Sequence, residues 1–86
     1  MSLKLLKFSA DWCGPCKVFA PIVNEVLEDR TDVELEEIDI DLQTDRSVEY
    51  KVRAVPTIVL LDENGNVLKR HSGVLGKHDL LKFIMT

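Results

Sequence analysis

The chain has 86 residues, of which 45% are hydrophobic, and its formal net charge at pH 7 is −4. A chain of this length predicts one domain over residues 1–86, with about 60% of its unfolded surface buried on folding. The acidic balance and the lack of a basic tract exclude nucleic-acid binding driven by phosphate contacts.

The first half of the chain alternates between strand and helix patterns. An apolar run predicts a buried strand over residues 3–9, and apolar residues at helical spacing predict a helix over residues 14–29. A second strand is expected over residues 33–40. A short helix is expected next, over residues 44–51, and Thr44 can cap its N-terminus.

The second half predicts a hairpin and a last helix. Strands are expected over residues 57–61 and 67–70, joined through the turn signal Asn64-Gly65. A helix over residues 77–85 ends the chain. The order β-α-β-α-β-β-α predicts an α/β fold, with one mixed four-stranded sheet and helices on both of its faces.

Cys13 and Cys16 are the only cysteines, and they lie where the first strand leads into the first helix. A helix N-terminus favours the thiolate form of a cysteine, which is the reactive form in thiol–disulfide exchange. We expect Cys13 to lie nearer the solvent and act as the nucleophile. Cys16, one turn later and more buried, is expected to resolve the mixed disulfide by attacking Cys13.

Two other interpretations of the cysteine pair are weaker. A purely structural disulfide would close a very short loop, which gains little loop-closure entropy. A zinc site needs four ligands, and only His71 and His78, both far along the chain, remain to complete it. We expect these histidines on the surface, and we expect neither a metal nor a bound cofactor.

The motifs around the cysteines resemble those of the thioredoxin family, and the resemblance spans essentially the whole chain. The matching segments, in order, are Ser9-Ala10-Asp11-Trp12-Cys13-Gly14-Pro15-Cys16-Lys17, Ala20-Pro21, Ile38-Asp39-Ile40-Asp41, Val55-Pro56-Thr57, Asn64-Gly65 and Ser72-Gly73. The chain begins at the strand that carries the site, so it resembles a minimal thioredoxin without the usual first strand and helix. The strand over residues 33–40 is then expected at a sheet edge, where its glutamates discourage pairing with other chains.

The resemblance implies a substrate-binding rim around the thiols. Its members would be Trp12, Gly14, Pro15, Val55, Pro56, Gly73 and Val74. Trp12 is expected to be exposed, and Pro15 fits the first turn of a helix. Pro56 resembles the family's cis-proline, which would leave the Val55 backbone free to pair with an extended substrate.

Positions 7 and 37 depart from the family pattern. The family keeps a buried aspartate where this chain has Lys7, and commonly a lysine where it has Glu37. Each is the polar member of an otherwise apolar strand face, so we expect them to form an ion pair with reversed charges. We hypothesise that Glu37 or Lys7 then relays protons to Cys16. The alternative is a lysine that reaches solvent and a glutamate exposed on an edge strand.

The resemblance implies a thiol–disulfide oxidoreductase that reduces protein disulfides. It also implies a thioredoxin reductase as electron donor, and clients such as ribonucleotide reductase or peroxiredoxins. No targeting segment or membrane-length apolar run is evident, so we expect a cytoplasmic protein that binds no membrane. We expect a monomer, although uncovered apolar surface could support a dimer.

Two other functions remain open at this stage. A glutaredoxin-like, glutathione-dependent reductase is suggested by the length alone. A non-catalytic binding subunit with this fold is the other alternative.

Overall fold

Four strands and three helices alternate along residues 2–85, which the computed structural model describes. The strands are β1 (Leu3–Ser9), β2 (Val33–Asp39), β3 (Thr57–Leu61) and β4 (Val67–Ser72). The helices are α1 (Gly14–Leu27), α2 (Thr44–Glu49) and α3 (Lys77–Ile84). The predicted order of elements is confirmed.

The strands form one mixed sheet in the order β2-β1-β3-β4. β1 runs parallel to β2, and the register pairs Leu3 with Val33 and Ser9 with Asp39. β3 is antiparallel to β1, and β4 is antiparallel to β3. The central strand β1 therefore delivers its carboxyl end directly to the cysteine segment, and β2 lies at an edge as expected.

Each face of the sheet carries its own apolar cluster. On one face, Leu5 of β1 packs with Phe19 of α1 and Leu80 of α3, and all three are fully buried. On the other face, Phe8 packs with Ile38, and Tyr50, directly after α2, covers them. Because the side chains of a strand alternate between faces, β1 contributes to both clusters. The predicted arrangement of helices on both faces is confirmed.

The ends of the elements differ from the predicted ones by one or two residues. α1 ends at Leu27, because the next turn tightens and the Arg30 N–H donates to the Leu27 carbonyl. α2 ends at Glu49, and Lys51 takes a left-handed conformation with φ of 55°. β4 continues to Ser72, which pairs with Thr57 of β3.

The β3–β4 hairpin is organised by the carboxylate of Asp62. This carboxylate accepts the backbone N–H groups of Asn66 and Asn64 at 2.9 and 2.8 Å. These bonds, led by the one from Asn66, hold the pKa of Asp62 below its ordinary value. Gly65 supplies the positive φ of 84° that the turn needs. The hairpin predicted at Asn64-Gly65 is thus confirmed.

Candidate active site

Cys13 and Cys16 are joined by a disulfide at the start of α1, with their Cα atoms 5.3 Å apart. Cys13 is the N-cap residue and has extended backbone angles. Its Sγ accepts the backbone N–H of Cys16 at 3.1 Å, so the first turn of the helix directs a donor at the sulfur. Pro15 lies in this first turn as expected, where its missing N–H leaves no intrahelical bond unmade.

The two cysteines do not differ in exposure as the sequence predicted. Cys13 is 4% exposed and Cys16 is 6% exposed, so both are buried in the oxidised form. The expectation that Cys13 lies nearer the solvent is therefore wrong for this state. The physical reason is that Ala10, Ile40 and Val55 pack around the disulfide as a small apolar cluster.

The loop that precedes β3 lies against the disulfide. The Val55–Pro56 peptide bond is cis, as the resemblance implied. The Val55 carbonyl oxygen lies 3.6 Å from the Sγ of Cys13. The Gly73 N–H donates to the Pro56 carbonyl at 2.8 Å, and Gly73 has a φ of 106°. The loop at Val55 and Pro56 thus contacts Cys13, and Gly73 is bonded to that loop.

Trp12 lies directly before the disulfide and is 67% exposed, which confirms its predicted exposure. Its indole Nε1–H donates to Asp41 Oδ2 at 2.9 Å. Asp41, in the segment after β2, was not among the predicted site residues. It lies in the segment Ile38-Asp39-Ile40-Asp41, and the match of that segment to the family pattern was the signal that could have found it.

The other predicted rim residues are accessible to different extents. Gly14 is exposed, and Val74, directly after Gly73, is 40% exposed. Val55 is half-buried and Pro56 is buried. Pro15 is exposed as well, so the exposed rim consists mainly of Trp12, Gly14, Pro15 and the segment that contains Val74.

Lys7 and Glu37 form the expected ion pair with reversed charges. They are direct neighbours in the β1–β2 register, and Lys7 Nζ lies 2.7 Å from Glu37 Oε1. The Lys7 side chain is only 4% exposed, whereas that of Glu37 is 62% exposed. Because the Lys7 side chain is buried, the alternative of a lysine that reaches solvent is excluded. The exposure of Glu37 agrees with its position on an edge strand.

An open cavity of about 200 Å³ connects this ion pair with the second cysteine. Lys7 and Glu37 line it together with Cys16. The cavity is open here because Ser9, Ala10 and Ala20 have small side chains. The remaining lining residues are Asp11 and Lys17. The cavity allows water to reach the surroundings of a buried sulfur.

Other features of a functional site are absent from the described part of the chain. Within residues 2–85, no three His, Cys, Asp or Glu side chains are grouped in a way that could hold a metal ion. His71 is half-buried on β4, and His78 is exposed on α3. None of the helices of residues 2–85 has the length and apolar character needed to cross a bilayer.

The chain is similar to known proteins over nearly its whole length. The family model described as thioredoxin matches residues 1–86. The thioredoxin of Mycoplasmoides gallisepticum is 32% identical over 80 residues, which cover 93% of this chain and 79% of the relative. The thioredoxin of Mycobacterium tuberculosis is 37% identical over 79 residues, which cover 91% of this chain and 67% of the relative.

Solved structures agree with this assignment. The crystal structure of thioredoxin NaTrxh from Nicotiana alata superposes with a TM-score of 0.90 at 38% identity, and the match covers 98% of this chain and 71% of that one. The fold of the chain is therefore shared with a thioredoxin. The chain belongs to the thioredoxin family, and it is a thioredoxin-type disulfide oxidoreductase with Cys13 and Cys16 as its CxxC redox pair.

Proposed function

We propose that the reduced chain transfers two electrons to disulfides of client proteins, with Cys13 as nucleophile and Cys16 as resolving thiol. The Cys13 thiolate attacks one client sulfur and forms a mixed disulfide, and the other client sulfur leaves as a thiolate. The Cys16 thiolate then attacks the Sγ of Cys13, and the second client sulfur leaves. The client thiolates take up two protons, and the chain is left with the Cys13–Cys16 disulfide.

One observation carries this assignment: the Sγ of Cys13 occupies the N-cap of α1 and accepts the Cys16 N–H at 3.1 Å. A backbone donor and the positive end of the helix dipole both favour negative charge on that sulfur. Cys16 lies within α1 rather than at its N-cap, so its sulfur does not have the position that Cys13 has at the N-terminus of the helix. The geometry thus supports Cys13 as the attacking thiol.

The proposed client contacts surround Cys13. The backbone at Val55, whose carbonyl lies beside Cys13, offers hydrogen-bonding groups to a client segment that runs along the site, as in strand addition. Trp12, Gly14, Pro15, Pro56, Gly73 and Val74 form the rest of the proposed rim. Because the exposed part of this rim is apolar rather than charged, it suits extended segments of varied sequence around a disulfide.

The electron donor we propose is a thioredoxin reductase, with peroxiredoxins or ribonucleotide reductases as clients. A relative named bifunctional thioredoxin reductase/thioredoxin, from Mycobacterium leprae, is 37% identical over 79 residues. A structure described as the structural basis of the thiol resolving mechanism in yeast mitochondrial 1-Cys peroxiredoxin via glutathione/thioredoxin systems matches at a TM-score of 0.87 and 30% identity. We place the activity in the cytoplasm, where thiols are kept reduced, because the only cysteines of the chain are the redox pair.

Reduction of insulin disulfides by dithiothreitol tests the proposed activity. The wild-type chain is expected to accelerate the reaction, and Cys13→Ser is expected to abolish the acceleration. Cys16→Ser should instead trap a mixed disulfide with insulin, visible by mass spectrometry. The matched control is Ser72→Ala, a small change outside the sulfur cluster that should retain the activity.

Two results would contradict the proposal. An equal rate with and without the wild-type chain would exclude protein-disulfide reduction, and glutathione-linked assays would follow. A mixed disulfide trapped on Cys16 in Cys13→Ser, but none on Cys13 in Cys16→Ser, would reverse the two roles.

A further inference from the structure

We propose that Lys7 is a positioning residue whose buried ammonium group favours the thiolate form of Cys16, so that the resolving thiol loses its proton to water. This inference rests on the proposed function of Cys16. In this arrangement the negative charge that Cys16 must acquire is stabilised before the attack by a fixed cation. A carboxylate that accepts the proton of the Cys16 thiol is then not required.

Burial makes Lys7 the strongest charge near Cys16. Lys7 and Cys16 line the same cavity, and the Lys7 side chain is 4% exposed. The other charged groups facing this cavity are Asp11, Lys17 and Glu37, and all three are exposed. Charges in water are screened, whereas a buried charge acts through a medium of lower dielectric constant. The cation therefore outweighs its exposed neighbours at the sulfur.

The geometry also gives the buried ammonium a partner. A buried charge without a partner is costly, because it has lost its contact with water. Here Glu37 Oε1 lies 2.7 Å from Lys7 Nζ and is directly paired with it in the sheet register. Glu37 thus pairs with Lys7 from the solvent side, while Lys7 lines the cavity that also contains Cys16.

The chemical step balances without a further reactant. The thiol of Cys16 releases its proton to water in the cavity and becomes a thiolate beside Lys7. The thiolate attacks the Sγ of Cys13 in the mixed disulfide, the Cys13–Cys16 bond forms, and the client thiolate leaves. The ammonium of Lys7 keeps its proton throughout, which distinguishes this role from a proton relay.

Titration of the Cys16 thiolate tests the proposal without any client protein. In a Cys13→Ser background, the ultraviolet absorbance of the single thiolate is followed against pH, after circular dichroism has confirmed the fold. Lys7→Met is expected to raise the midpoint by on the order of one pH unit, because a nearby opposite charge has an effect of this size. Lys7→Gln removes the same charge with a polar side chain and should give a shift of the same sign.

Two control variants isolate the buried charge. Lys4→Met removes one positive charge from the same strand, but on the opposite sheet face, where Lys4 pairs with Glu36. Lys17→Met removes an exposed cation from the cavity lining itself. Both are expected to move the midpoint by much less than Lys7→Met.

The sign of the Glu37→Gln shift in the Lys7→Met background separates the fixed cation from a relay. Glu37 has no lysine partner in this background, so loss of its carboxylate removes only a negative charge from the cavity, and the midpoint should fall or stay unchanged if Lys7 acts as proposed. A further rise when Glu37→Gln is added to Lys7→Met would identify Glu37 as the proton acceptor and overturn the proposal. An unchanged midpoint in both Lys7 variants would also overturn it. Since insulin reduction by the wild-type chain is measured separately, either failure leaves the proposed function intact.

Discussion

The bond between Trp12 and Asp41 fixes an exposed aromatic ring beside the redox pair. The indole is 67% exposed and has its N–H bonded to a carboxylate 29 residues away in sequence, at 2.9 Å. A large side chain in water otherwise samples several rotamers, and ordering it on binding a client opposes association. The bond therefore prepares the ring for contact with a client.

Asp41→Ala is expected to weaken client binding rather than the chemistry. A hydrogen bond to a charged acceptor contributes about 1 kcal/mol when exposed, so KM for insulin should rise by about three- to tenfold. The value of kcat should change less. Because Trp12 is the only tryptophan, its fluorescence anisotropy reports the release of the ring and should fall. Asp45→Ala, which removes an exposed carboxylate from α2, is the control; equal KM values in the two variants would contradict the role of Asp41.

The sequence predicted the residues of this site better than their environments. The motif around Trp12 and Pro15 carries local information, since it combines a helix start with two cysteines. The burial of Cys13 depends on Val55 and Ile40, which approach from distant segments, and no local pattern encodes that contact. Asp41 was missed for the same reason, because its partner lies in another loop.

At the scale of elements, Glu36 ties α2 to the sheet. One of its oxygens accepts from Arg46 Nη1 of α2 at 2.6 Å, and the other lies 3.5 Å from Lys4 Nζ of β1. The Arg46 hydrogen bond is the main reason that the pKa of Glu36 lies below its ordinary value. A six-residue helix has little stability of its own. Its position therefore depends on this pair and on the apolar contacts of Tyr50.

Glu36→Gln is expected to lower the free energy of unfolding by about 1 kcal/mol near pH 7. Since the pKa of Glu36 is lower in the folded state, this stabilisation is present above the unfolded value of about 4.3 and is lost as pH falls through the folded value. The difference from wild type should therefore shrink at about pH 3. Urea unfolding at both pH values measures it. Glu34→Gln, on the same strand, is the control, and a Glu36→Gln effect that persists unchanged at low pH would contradict the assignment.

The order of elements followed from the sequence, but their ends did not. The apolar run predicted β1, and helical spacing predicted α1, because each pattern spans several residues. The end of α2 depends instead on Arg70, which donates to the carbonyls of Tyr50 and Lys51 at 2.7 and 3.3 Å. These hydrogen bonds join residues that are 20 and 19 positions apart in sequence, so no pattern within the helix indicates where it ends.

The single chain has the dimensions of a folded domain of its length. Its accessible surface is 5249 Å², close to the roughly 5,200 Å² expected for a monomeric protein of this mass. Its radius of gyration is 12.0 Å, against about 12 Å expected for this length. The edge strand β2 carries exposed glutamates at positions 34 and 37, and such charges oppose pairing with another chain.

We therefore expect a monomer whose mass does not change with protein concentration. Sedimentation equilibrium of the oxidised chain measures this directly. Glu34→Val removes one of the edge charges and should increase weak self-association, whereas Glu63→Val, in the hairpin loop, should not. A wild-type mass that rises towards that of a dimer would contradict the prediction.

The unequal exposure of Lys7 and Glu37 also makes the two positions unequal in their tolerance of substitution. Loss of the Glu37 carboxylate leaves a lysine buried without its partner, which is costly. Loss of the Lys7 ammonium leaves a carboxylate that water can solvate and screen. Position 7 can therefore lose its charge at little electrostatic cost, whereas position 37 cannot while Lys7 remains.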